Sequence, residues 1–198
     1  TASASALHAL ADDFSPLPVY GVVNPGAEAA AGKADHSGVL VLATESTILG
    51  GAYQRALLQN RPGMKVYGRA CPLWVTLAEQ GLQGEQATAL IEHNLGYGLR
   101  GYMEDECCPK TVLLGCTHFP VFRKQIQTLL GSDVELVDSA QTTATVVHED
   151  LRDRHLLRTT PSKAAQMVFL ATDGLARFRR VGGYFFGRPL ADVELVDL

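Results

Sequence analysis

Residues 111–120, Thr111-Val-Leu-Leu-Gly-Cys-Thr-His-Phe-Pro120, contain the pattern that decides the fold. Residues 112–114 form a short apolar run of the kind that is buried on both faces of a parallel sheet. Gly115 allows a sharp turn, and Pro120 suits the first turn of a helix. The pattern therefore predicts a strand, a turn and a helix. It places Cys116 at the carboxyl end of the strand, where open α/β sheets bind ligands.

Cys116 and His118 are the candidate reactive groups of this stretch. A free thiol has a pKa of about 8.5. A helix N-terminus and a protonated His118 are positioned to lower the pKa of Cys116 and to populate the thiolate. The alternative is that Cys116 is a small buried hydrophobic residue and that His118 is a surface histidine.

Apolar β-type runs alternate with amphipathic stretches along the chain, a pattern typical of a parallel α/β sheet. We predict strands at residues 19–23, 38–44, 65–69, 111–114, 134–137 and 166–171. We predict helices at residues 27–33, 46–59, 85–100, 120–130, 139–150 and 173–180. Thr172 or Asp173 is expected to cap the last helix, and residues 152–161 are expected to form a loop.

Composition excludes several classes of protein. The chain has 198 residues, of which 46% are hydrophobic and 19% charged, and its net charge is −4. There is no basic stripe for nucleic acid and no apolar run of the ~20 residues that a membrane helix needs. The four cysteines include no CxxC pair. We therefore expect neither a disulfide framework nor a zinc site, and a cytoplasmic location.

Motifs spread along the chain resemble glutamate racemase, a member of the aspartate/glutamate racemase superfamily. The stretch from Leu113 to Pro120 resembles the second active-site cysteine motif of that family. Further similar segments follow in the family's order: Thr1-Ala-Ser-Ala4, Tyr20 to Ala27, Val41 to Thr47, Gly51-Ala-Tyr-Gln54, Cys71-Pro-Leu-Trp-Val75 through Glu79, Phe169-Leu-Ala-Thr172, and Phe185 to Leu198. The order of these segments makes the resemblance specific.

The resemblance implies two similar parallel-sheet α/β domains with the active site between them. Residues 20–137 are expected to form the second domain. Residues 1–19 and 138–198 are expected to be parts of a first domain that is incomplete in this chain, because the opening residues resemble a helix whose preceding strand is absent. We expect that part to expose apolar sheet surface.

The resemblance also implies catalytic residues. The family uses two thiols on opposite faces of the substrate α-carbon. Cys116 corresponds to one thiol, and the other would lie two residues before Thr1. His118 is expected to act as an acid that keeps Cys116 poised. Glu79 is expected to position the other thiol or to accept the substrate ammonium, and its alternative role is that of a solvated carboxylate at a helix end.

Hydroxyl groups are expected to hold the substrate carboxylate. By the same resemblance, Thr1, Thr44, Thr47 and Thr117 are substrate-binding candidates. Thr44 also has the alternative role of a simple N-cap. No metal ligands are implied.

The function implied by the resemblance is cofactor-independent conversion of L-glutamate to D-glutamate for peptidoglycan. The expected partner is the small-molecule substrate, with no nucleic acid and no membrane, and a homodimer is left open. Two alternatives stay open: a racemase of aspartate or a related acid, and an inactive remnant that only binds a ligand or a partner.

Overall fold

A four-stranded parallel sheet is the main structural element of the protein. The computed structural model describes residues 2–81, 85, 87–93, 109–159 and 167–197. The strands are β1 (Val39–Ala43), β2 (Val66–Ala70), β3 (Thr111–Leu114), β4 (Glu135–Asp138), β5 (Phe169–Ala171) and β6 (Val193–Leu195). The α-helices are α1 (Ala2–Asp13), α2 (Val23–Lys33), α3 (Glu45–Gly50), α4 (Ala52–Asn60), α5 (Pro72–Gln80), α6 (Arg123–Leu130), α7 (Ser139–Asp153) and α8 (Leu175–Phe186). A 3-10 helix spans Phe119–Phe122, and residues 87–93 are also helical.

The sheet has the strand order β2-β1-β3-β4, and every neighbouring pair is parallel. Val41 in β1 lies opposite Gly68 in β2 and Leu113 in β3. Strands β5 and β6 form a separate parallel pair. The α/β class and the parallel sheet predicted from the sequence are therefore confirmed, whereas β6 was not predicted.

Alternate residues of the central strands enter two apolar clusters, one on each face of the sheet. Leu40 and Leu42 of β1 pack with Trp74 and Phe119 on one face. Their neighbours Val39, Val41 and Ala43 pack with α2 and α4 on the other face. Because side chains alternate along a strand, burial on both faces explains why these strands are continuous apolar runs.

The predicted strand at residues 19–23 is wrong. Residues 18–21 have no regular structure, and α2 begins at Val23. Val23 is buried with Ala27 and Ala30 on one face of α2, which is helical rather than strand spacing. Pro25 lies in the first helical turn, where its missing N–H costs no hydrogen bond.

Two helix predictions also need correction. The predicted helix at 46–59 is interrupted at Gly51, which has a φ of 63° and divides α3 from α4. The last helix is not capped by Thr172 or Asp173. It follows Gly174, in the left-handed region with a φ of 57° and without a side-chain capping bond. Glycine adopts this region without the penalty that a Cβ brings.

The β5–β6 pair exposes apolar side chains. Leu170 is 52% exposed and Leu195 is 63% exposed, as expected for this part of the chain.

No helix within the described residues is long and apolar enough to cross a membrane. The predicted helix at 85–100 is helical at 87–93, and residues 94–100 lie outside the described part. The predicted loop at 152–161 begins later than expected, because α7 extends to Asp153.

Candidate active site

Cys116 lies at the carboxyl edge of the four-stranded sheet, where the sequence predicted it. Strand β3 ends at Leu114, and the N–H of Gly115 donates to the carbonyl of Leu42 at 2.8 Å. A Cβ at Gly115 would lie 2.7 Å from the Tyr53 ring, so the turn requires glycine. Cys116 is 8% exposed and borders a cavity of about 260 Å³.

The expected lowering of the Cys116 pKa is wrong. Burial raises the pKa of this thiol, and the backbone N–H groups of His118 and Phe119 offset only part of that effect. The helix that was expected to supply a dipole begins with a four-residue 3-10 segment, and α6 starts only at Arg123. A helix dipole acts within about one turn of the helix end, so burial has the larger effect.

Cys116, His118 and Glu79 form a chain of side-chain contacts, which we call the relay. The sulfur of Cys116 lies 3.8 Å from Nδ1 of His118. Nε2 of His118 lies 3.3 Å from Oε1 of Glu79, and the two side chains are only 28% and 33% exposed. Glu79, at the end of α5, is therefore partly exposed to solvent and also paired with His118. Its contact with His118 was not predicted, because sequence spacing does not show that α5 faces the turn after β3.

Two of the predicted threonines, Thr44 and Thr47, lie together in the wall of the cavity that Cys116 borders. Thr44 is the N-cap of α3, and its Oγ1 accepts from the N–H of Thr47 at 3.4 Å. The two hydroxyl oxygens are 2.9 Å apart. Both residues line the 260 Å³ cavity with Cys116 and Thr117. The N-cap role of Thr44 and a place in the site are thus compatible. Thr1 lies outside the described residues.

Tyr53 is a site residue to which sequence reasoning gave no role. It is buried and lines the same cavity. Burial raises the pKa of Tyr53, and its hydroxyl has no hydrogen-bond partner among the described residues. Nearby Ser139 lowers the pKa of Tyr53 in part. The Ser139 hydroxyl itself donates to the carbonyl of Leu114 at 2.8 Å. The sequence feature that could have pointed to Tyr53 is its position within Gly51-Ala-Tyr-Gln54, one of the segments that carry the family resemblance.

A second cavity, of about 690 Å³, shares Thr117 and His118 with the first. Glu79 lines it on the same side. Its other wall is formed by α8 and the turn before it, and includes Asp173, Arg177, Phe178 and Phe185. The relay thus borders the first cavity at Cys116, the second at Glu79, and both at His118.

The other cysteines do not join the relay. Cys71 is buried in the apolar core, and burial raises its pKa to about 12, as fits a packing role. Cys107 and Cys108 lie outside the described residues. Among the residues that the structure describes, no group of three or more His, Cys, Asp or Glu side chains could hold a metal ion.

Comparisons with known proteins show which family the chain resembles. The model of the Asp/Glu/Hydantoin racemase family matches residues 1–147. A glutamate racemase of Geobacter metallireducens is 42% identical over 198 residues, which cover 100% of this chain and 71% of the relative. The crystal structure of glutamate racemase isoform RacE1 from Bacillus anthracis matches with a TM-score of 0.86 and 30% identity, covering 100% of this chain and 71% of that one. A glutamate racemase from Francisella tularensis in complex with D-glutamate matches with a TM-score of 0.83 and 27% identity, covering 99% and 70%.

Proposed function

Because the chain belongs to the Asp/Glu/Hydantoin racemase family and is thus related to amino-acid racemases, we propose that it interconverts L- and D-glutamate without a cofactor. The observation that carries this proposal is the thiol–imidazole pair of Cys116 and His118, 3.8 Å apart. This pair borders a cavity that Thr44 and Thr47 also line. A proton-transfer group therefore lies beside hydroxyls that suit a carboxylate. Relatives named glutamate racemase support the choice of glutamate.

In the proposed reaction, two thiols work on opposite faces of the substrate α-carbon. A thiolate takes the α-proton, so that a C–H bond breaks and an S–H bond forms. The thiol on the other face then gives its proton to the carbanion. We assign Cys116 to one face and propose that a second thiol works on the other. The roles of the two thiols exchange when the direction of the reaction is reversed.

Glu79 and His118 are proposed to prepare Cys116 for both roles. A carboxylate at Nε2 favours the tautomer whose proton is on Nε2, which leaves the Nδ1 lone pair facing the thiol. Burial raises the pKa of Cys116, so the resting sulfur holds a proton and can act as the acid. In the opposite direction, His118 accepts that proton and leaves the thiolate as base.

The threonines are proposed to orient the substrate. Thr44 and Thr47 lie at a strand end and a helix start, and their hydroxyls would hold the α-carboxylate with Thr117 and Thr1. Fixed donors that surround a developing carbanion stabilise it more in a dry cavity than in water. Tyr53 contributes a buried ring to the lining of the same cavity.

We further propose that the site lies between two α/β domains, residues 20–137 and the combined segments 1–19 and 138–198. The separation of the sheet β2-β1-β3-β4 from the pair β5–β6 supports this division.

The proposed cellular role is the supply of D-glutamate for peptidoglycan in the cytoplasm. A homodimer is one assembly to test, by light scattering.

Exchange of the substrate α-proton tests the proposed function. The complete protein, as its gene encodes it, is incubated with L-glutamate, D-glutamate or L-aspartate in deuterated water, and NMR follows the α-proton signal. We expect both glutamate enantiomers to lose that signal and to interconvert, and aspartate to be inert. Faster exchange of aspartate would assign the protein to a related acid instead, and no exchange of any amino acid would refute racemisation.

A further inference from the structure

Helix α8 reaches the relay from the β5–β6 side of the molecule and contacts it twice. Arg177 forms an ion pair with Glu79 through Nη2 and Oε2. The ring of Phe185 meets the ring of His118 edge to face, with centroids 5.3 Å apart and an interplanar angle of 88°. A third contact, from Arg180 Nη1 to the carbonyl of Gln80 at 3.3 Å, ties α8 to the end of α5.

The carboxylate of Glu79 is shared between two partners. Oε1 faces Nε2 of His118 at 3.3 Å, and Oε2 is held by Arg177. A carboxylate is planar, so fixing one oxygen restricts the direction of the other. Without Arg177, the partly exposed Glu79 could rotate about its side chain and exchange His118 for water.

The ion pair is too exposed to act mainly through stability. The Arg177 side chain is 65% exposed, and exposed ion pairs contribute at most about 1 kcal/mol. The ion pair can still orient the Glu79 carboxylate, because orientation does not require a large contribution to the free energy of unfolding. Phe185 adds a second restriction, because its edge-to-face contact limits the plane of the His118 ring.

We propose that Arg177 is a positioning residue of the racemase site. By holding Oε2 of Glu79, it keeps Oε1 on His118 Nε2 and thereby keeps the lone pair of Nδ1 facing the sulfur of Cys116. Phe185 supports the same orientation. The role in turnover rests on the proposed function, whereas the effect on the His118 tautomer does not.

The tautomer is measured first. The complete protein, as its gene encodes it, is labelled with ¹⁵N-histidine, and the His118 ring signals are assigned by their loss in His118→Gln. The two ring ¹⁵N shifts show which nitrogen carries the proton. We expect Arg177→Gln to move these shifts toward a mixture of tautomers, and Arg177→Lys to restore them, because lysine keeps the charge.

Arg180→Gln is the matched control, since Arg180 lies on the same helix and its Nη1 donates to the backbone carbonyl of Gln80 rather than to Glu79. It should leave the His118 shifts unchanged. If Arg180→Gln moves them as much as Arg177→Gln, the effect is general docking of α8 and the proposal is overturned. His118 shifts in Arg177→Gln identical to those of the wild type overturn it as well.

Turnover supplies the second measurement. We expect kcat for glutamate to fall about three- to tenfold in Arg177→Gln, the net size of one ordinary hydrogen bond, because Arg177 acts through Glu79; KM should be unchanged and Arg177→Lys should recover kcat. Unchanged kcat would refute the role in turnover. If the wild type does not turn over glutamate, the proposed function fails, while the ¹⁵N shifts still decide whether Arg177 positions the relay.

Discussion

Substitution of Gly115 by alanine should damage both the fold and the chemistry. The added Cβ would lie 2.7 Å from Cε2 of Tyr53, 3.1 Å from its Cδ2 and 3.3 Å from the Cβ of Ala43. Ordinary carbon contacts begin near 3.4 Å, so the groups must separate by about 0.7 Å. Tyr53 is 1% exposed and packed in the core, so it cannot yield easily. The displacement therefore passes to the next residue, Cys116.

Two magnitudes follow from this displacement. Overpacking of a core costs about 1–3 kcal/mol in the free energy of unfolding, which is measured by urea denaturation. A misplacement near 1 Å can cost about 100-fold in rate, so we expect kcat for glutamate to fall about 10- to 100-fold. The control is Gly32→Ala in α2, where an added Cβ meets nothing within 4 Å. It should stabilise the helix by about 0.5–1 kcal/mol and leave kcat unchanged.

A double-mutant cycle separates the clash from other effects of alanine. Tyr53→Leu removes the ring atoms that the new Cβ would meet, so Gly115→Ala should cost less in that background than in the wild type. Wild-type stability and kcat in Gly115→Ala would refute the account of the turn. An equal cost of Gly115→Ala in both backgrounds would show that Tyr53 is not the obstacle.

Three further predictions concern the relay, the threonines and the buried thiol. Glu79→Gln should lower kcat about 10- to 100-fold through loss of a charge-assisted hydrogen bond; unchanged steady-state kinetics would remove Glu79 from the site. Thr47→Val should raise KM for glutamate about tenfold. The control Thr128→Val, at an exposed hydroxyl on α6, should leave KM unchanged. Equal changes in KM in the two variants would contradict the role of Thr47 in holding the carboxylate. The pKa of Cys71 is raised from 9.0 to about 12 in the folded protein, so the unfolded chain loses this proton first and stability falls as pH rises above 9. Cys71→Ala should flatten that fall by up to about 1.4 kcal/mol per pH unit in urea titrations, and an unchanged slope would contradict the assignment.

The parts of the fold that the sequence predicts are those with an unambiguous local pattern. The buried strands β1 and β3 are continuous apolar runs flanked by turn residues, so their type and place follow from the residues alone. Residues 19–23 show the limit of this reasoning, because Tyr-Gly-Val-Val is compatible with a strand or a helix start. Packing of Val23 and Ala27 against the sheet decides for the helix.

Of the residues that border the candidate cavity, the sequence singled out Cys116, Thr117, His118, Thr44 and Thr47 but not Tyr53, and it did not predict how they connect. Cys116 and His118 are two residues apart, so their contact follows from the turn. The contacts of Glu79 with His118 and Arg177 join residues far apart in sequence, and no local pattern encodes them. The direction of the Cys116 pKa shift was missed for a related reason. The depth of burial at a strand end depends on the helices packed over it, which sequence spacing does not give.

The most direct test of the account is α-proton exchange in deuterated water with Cys116→Ser in the complete protein. Exchange and interconversion of L- and D-glutamate are followed by NMR, with Cys71→Ala as the control for loss of a buried thiol. We predict that interconversion falls at least about 100-fold in Cys116→Ser, while Cys71→Ala retains it. Interconversion at the wild-type rate in Cys116→Ser would contradict the assignment of this thiol to the chemistry.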